Sequence, residues 1–107
     1  MTWILYRITK TCELTLLDFT SLAAQGVPPR SDDLEVIRLR SGISCWATET
    51  QARRTARRYP FLGAYVATLQ IPDDSPVRVE RTRGRGHYTV WGDPVELMTY
   101  VTSVQSA

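Results

Sequence analysis

Arg7, Ser44, Thr48, Glu80 and His87 are the residues of this sequence whose types and settings could do chemistry. Arg7 interrupts "WILYRIT", a stretch apolar on both alternating faces. A guanidinium there must find a carboxylate, a carbonyl or a ligand anion, because an unpaired buried charge costs several kcal/mol. An internal acid such as Glu80, or water reached from the strand's end, would serve equally well. Ser44 and Thr48 flank a strand-to-helix junction, where hydroxyls and free amides can meet a phosphate or a ribose, although Thr48 also suits a helix cap. Glu80 stands between Val79 and Arg81. It could hold a ribose hydroxyl or stabilise a developing cation, or form half of a surface ion pair. His87, the sole histidine, could act as general acid or base near neutral pH or donate to a carbonyl within a hairpin. No Ser/His/Asp or Cys/His spacing accompanies it.

All but one of the 13 basic residues are arginine, and they cluster. Arg53, Arg54, Arg57 and Arg58 form one group; Arg78, Arg81, Arg83 and Arg85 form another. With Tyr59, Tyr88 and Trp91 nearby, the two groups could engage nucleic acid, guanidiniums on phosphates and rings on bases, or an acidic protein partner. The plainer alternative is a solvated basic face, and the net charge of +2 is modest. Cys12 and Cys45 match no CxxC or Cys/His metal spacing, so no metal site is expected and the thiols read as free. "GISCWATET" is neither a Walker loop nor a Rossmann turn.

The elements that must position these residues follow from periodicity. A length of 107 residues predicts one compact domain over residues 1–107. No run approaches the roughly 20 apolar residues needed to cross a bilayer, and no charged-then-apolar leader opens the chain, so a soluble cytoplasmic protein without membrane contact is expected. Met1 to Thr9 alternates as a strand. A short helix is expected from about Asp18 to Gln25, stopped by Gly26 and the following prolines. Asp32 to Arg40 suits either a helical turn or an extended segment, and its Asp32/Glu35 pair favours the turn. Ile43 to Ala47 reads as a strand running into a helix capped by Thr48 and Gln51, with Ala52, Ala56 and Tyr59 inward. The four arginines then span about 140 degrees on its other side. Pro60 ends that helix. Strands are expected at Ala64 to Ile71, Val77 to Thr82 and His87 to Trp91, the last two joined by "RGRG" as an antiparallel hairpin. Asp93, Pro94 and Glu96 open a final helix with Leu97, Met98, Val101 and Val104 as its buried stripe. The sum is an α+β fold, mainly an antiparallel sheet of about five strands with two to four short helices.

"LYRI" on the first strand, "SGISCWATETQARRTA" at a strand entering a helix, and a later strand bearing Glu80 together resemble the small ADP-ribosyltransferase-like fold of the arginine-serine-glutamate type. The resemblance implies an NAD-like dinucleotide as substrate and no metal. It makes Arg7 the phosphate clamp, Ser44 with Thr48 the serine-motif equivalents, and Glu80 the catalytic acid; His87, outside that correspondence, is a further candidate ligand contact. The chain has no Ser-Thr-Ser triplet, and Arg78 stands where many members carry an acid or amide two residues before the catalytic glutamate. That departure points away from modifying protein side chains, toward transfer to nucleic acid or a small molecule, plain NAD hydrolysis, or no catalysis. A non-catalytic module that binds through its arginine-rich face is the alternative.

Overall fold

The computed structural model describes residues 2–107; the expected strand start at Met1 lies outside them. Six strands and three helices follow one another as β1 (Thr2–Thr9), α1 (Leu34–Leu39), β2 (Ile43–Trp46), α2 (Glu49–Arg58), β3 (Tyr65–Pro72), β4 (Arg78–Arg81), β5 (His87–Trp91), α3 (Pro94–Thr99) and β6 (Val101–Ser106). All six strands lie in one sheet of order β4-β5-β2-β1-β3-β6, with antiparallel neighbours throughout. The fold is therefore α+β, and β1, apolar on both faces, is an interior strand.

Alternation divides the core between the two faces of the sheet. Leu5, Ile43, Cys45, Ala67, Leu69, Ile71 and Val90 pack with Phe19 and with Leu97 of α3. Ile8 and Val66, of opposite parity, pack against Ala52 and Ala56 of α2. Small alanines let α2 lie close to the strands, as its spacing predicts. Thr48 caps α2 by accepting the Gln51 backbone N–H at 3.1 Å, while its hydroxyl donates to the Gln51 side-chain carbonyl. Asp33 caps α1 by accepting from Glu35 and Val36, so the segment Asp32 to Arg40 resolves in favour of the helical alternative.

Several expectations are corrected. The helix expected from Asp18 to Gln25 is a 3-10 turn, Leu16–Phe19, followed by further turns. Asp18 does not cap a helix that follows it. Its carboxylate accepts the backbone N–H groups of Lys10 (3.1 Å) and Thr15 (2.9 Å), which folds the loop back on itself. The last helix stops at Thr99, and the residues expected to extend its stripe form β6, paired with β3. Val101, Thr102 and Val104 favour extended backbone, and the free edge of β3 offers them hydrogen bonds that another helical turn would not. The sheet thus has six strands rather than five. Asp93 caps α3 through Val95, but Glu96 accepts from the Tyr100 hydroxyl instead of closing the box. Tyr59, expected on the inner side of α2, is 41% exposed, because the helix has already ended at Arg58.

Two glycines are required where chain segments meet. Gly63, at φ 147°, lies against the Thr9 carbonyl, and any side chain there would overlap it. Gly86, at φ 78°, lies against the Gln51 side chain and seats the β4–β5 hairpin on the start of α2.

Candidate functional site

β1 pairs with β3 along its whole length, but with β2 only where Tyr6 faces Trp46. Beyond that position the two strands diverge, and the sheet forks. Backbone groups in such a fork lose their ladder partners and must be satisfied by something else. Arg7 supplies part of the answer: its guanidinium donates to the Ser44 carbonyl across the fork at 2.8 Å and to the Asp18 carbonyl at 3.0 Å. The anchor that Arg7 needs is thus met by backbone carbonyls. The candidate partner Glu80 is not used, and among the described residues no carboxylate lies within ion-pair distance of Arg7. Two anchored donors leave the rest of its fork of N–H groups available. Burial pulls Arg7 below the ordinary arginine range, and Cys45 and Asp18 act in the opposite direction. The guanidinium still keeps its proton at any pH of interest.

The fork opens into a cleft of about 480 Å³, whose lining includes Arg7, Ile8, Ser44, Trp46 and His87 of the sheet, Thr20 to Leu22, Leu39 and Arg40, and Thr55 of α2. Its volume falls within the roughly 300–1,000 Å³ typical of small-molecule sites. Among the described residues three arginines line it, Arg7, Arg40 and Arg83, and no aspartate or glutamate does. Arg40 is held by the Val27 carbonyl at 2.8 Å. Arg83 makes no hydrogen bond or ion pair among the described residues; it sits at the hairpin tip at φ 51°, between β4 and Gly84. Cations held together without acids create a positive potential that a low-dielectric cleft focuses.

His87 brings proton chemistry to the same space. Its Nδ1 lies 3.2 Å from the Thr82 carbonyl and 3.1 Å from the Thr82 hydroxyl. A carbonyl only accepts, so this contact is satisfied by the Nδ1–H tautomer, in which Nε2 carries the lone pair, while the Thr82 hydroxyl fits either tautomer. The ring meets Trp46 edge-on, with centroids 5.5 Å apart. Burial lowers the imidazole below its ordinary value; the Thr82 carbonyl opposes that shift and Arg83 reinforces it. At neutral pH the ring is uncharged and able to accept a proton.

Arg7, Ser44, His87 and Arg83 therefore meet at one cleft, whereas Thr48 and Glu80 do not line it. Thr48 is spent on its cap. Glu80 receives the Arg38 guanidinium in two-point fashion, at 3.1 and 2.9 Å, and Arg78 at 3.3 Å. These bonds, that to Arg38 first, hold its carboxyl below the usual range, and of the two roles read from sequence Glu80 fits the ion pair. Arg53 is also committed, to Glu49 at 2.8 Å, Gln105 at 3.0 Å and the Ser106 carbonyl. Arg54, Arg57, Arg58 and Arg85 are exposed. Arg40, Trp46, Tyr59 and Phe61 also line the cleft; they come from three separate stretches of the chain, and no local pattern joins them. Among the described residues no group of His, Cys, Asp and Glu could hold a metal ion, and no helix is long and apolar enough to cross a membrane. Comparison with family models, with curated proteins and with solved structures finds no match for this chain.

Proposed function

We propose that the forked cleft binds an NAD-like dinucleotide and that the protein is an ADP-ribosyltransferase-like or NAD-hydrolysing enzyme. The observation that carries this reading is the meeting of Arg7, Arg40 and Arg83, with no carboxylate among the lining residues, around an uncharged His87. Guanidiniums suit a pyrophosphate, whose tetrahedral phosphoryl groups present pairs of oxygen acceptors to two-point donation from the planar fork. Trp46, Tyr59 and Phe61 offer rings to the flat ends of a dinucleotide.

In this reading the bond between nicotinamide and ribose breaks, and nicotinamide leaves with the bonding electron pair, which neutralises its ring. The acceptor, water or a hydroxyl or amine, forms the new bond to the ribose carbon. His87 Nε2 takes the acceptor's proton. The arginines stabilise the pyrophosphate while positive charge develops on the ribose, so their task is binding and placement. The catalytic load moves from Glu80 to His87, because Glu80 is engaged by two arginines outside the cleft.

The test is the thermal midpoint of the protein with and without millimolar NAD. A ligand at about 100 times its dissociation constant adds roughly 2.7 kcal/mol, a shift of several degrees for a domain of this size. Arg83→Ala should abolish the shift while leaving the unliganded midpoint in place, since Arg83 holds nothing else. Arg7→Ala should also lose the shift, but with a lower starting midpoint, because Arg7 bridges Asp18 and Ser44. His87→Gln should bind NAD and release no nicotinamide, and Glu80→Gln should turn over. An unshifted midpoint in the folded parent protein removes the dinucleotide reading.

A further inference from the structure

We propose that the outer face of α2, with the two rings that follow it, is a binding ridge for single-stranded nucleic acid. Arg54, Arg57 and Arg58 stand at spacings of three and four, hence on one face of the helix. All three are exposed. Glu49 is the one acid in α2, and Arg53 has taken it. Among the described residues nothing gives Arg54 or Arg57 a hydrogen bond or an ion pair, and Arg58 rests 5.4 Å over the Tyr59 ring. Arg57 and Arg58 suit the last turn of α2, whereas Arg54, one turn before them, meets like charges and gains no such offset.

The rings set the kind of partner. Tyr59 is 41% and Phe61 71% exposed, and they meet edge to face with centroids 6.0 Å apart. Large aromatic rings left in water beside unpartnered arginines match what an unpaired strand offers: phosphates for the guanidiniums and free base faces for the rings. An acidic peptide would use the charges and leave the rings idle. A duplex keeps its bases stacked away from them. At the other end of α2, the seat of Gly86 on Gln51 brings the hairpin's unpartnered Arg85 alongside, which extends the cationic tract. Tyr59 and Phe61 also line the cleft, so a strand on the ridge reaches the cleft's mouth. Arg54, Arg57 and Arg58 lie outside the cleft, so their contacts to a strand do not depend on what the cleft holds.

Fluorescence anisotropy of a short labelled single strand of mixed sequence, over a series of salt concentrations, tests the proposal. The parent's affinity should fall by about 0.7 log unit per log unit of salt for each phosphate neutralised. Replacing Arg54 and Arg57 together by alanine should reduce that slope by about 1.4, two phosphates' worth. Phe61→Ala should weaken binding roughly 5- to 100-fold, the range expected for one lost stacked base. Arg54 and Arg57 are exposed, tie nothing together and do not line the cleft, so in the double arginine variant the thermal midpoint, and any NAD-dependent shift, should stay at the parent's values. Failure of the parent to bind the strand at low salt would overturn the proposal. So would parental affinity in the variants, or tighter binding of a duplex or of a polyglutamate peptide.

Discussion

Arg7 and Cys45 show how one burial environment gives two side chains opposite characters. Arg7 stays charged because carbonyls and Asp18 compensate it. Cys45, fully buried behind it, has its thiol pushed up to about 12 by the same burial, with Arg7 pulling weakly the other way. A thiol that remains protonated at neutral pH and is closed to solvent is chemically inert. Cys12 is exposed. An aromatic disulfide reagent should therefore modify one thiol per chain in the native protein and the second only in denaturant; equal native rates would contradict the burial of Cys45.

At the level of elements, the pairing of Glu80 ties α1 to the edge strand β4. Arg38 is bonded to Glu35 on its own helix and to Glu80 across the gap. The Arg38 and Arg78 guanidiniums lie 5.3 and 5.6 Å from the centre of the Trp91 ring, whose indole N–H donates to Ser41. Hydrogen bonds to Arg38 are the first cause of the lowered carboxyl values of both Glu35 and Glu80. A carboxyl whose folded value lies below its unfolded value stabilises the protein above the unfolded value, about 4.3. That contribution is lost as pH falls through the folded value. The thermal midpoint should therefore decline below about pH 4.3, and Glu80→Gln should begin lower at pH 7 and decline less steeply. A parallel acid profile in the variant would show that the tie contributes nothing. The same elements show what local pattern can decide. Thr48 marks a helix start because a short polar side chain beside free amides has few better uses; at α1 the sequence pointed to Asp32, and the cap is the next residue, Asp33. The end of α3 was not legible, since Leu97, Met98, Val101 and Val104 satisfy a helical stripe as well as a helix followed by a strand. Only the open edge of β3 separates the two.

Across the whole molecule, the two core clusters are joined through the sheet, and α3 closes one of them with a single fully buried side chain, Leu97, beside Phe19. Leu97→Ala should cost about 2–5 kcal/mol in urea unfolding. NAD response well below the midpoint should persist, because no residue of α3 lines the cleft. A loss near zero would mean that the C-terminal part of the core closes without this helix. The sequence by itself determined the alternating strands, the α2 cap and its alanine face, the hairpin at "RGRG" and the α+β class, because each rests on contacts within a few residues. It also marked Arg7, Ser44 and His87 as residues in search of a partner. Only the tertiary structure decided that β1 and β2 part beyond Tyr6 and Trp46, and that Arg40 and Arg83 reach the opening. It likewise decided that Glu80 belongs to Arg38, 42 positions away. Periodicity reports which face of an element is apolar; which charged groups meet across the fold depends on how strands far apart in the chain are ordered and where their pairing stops.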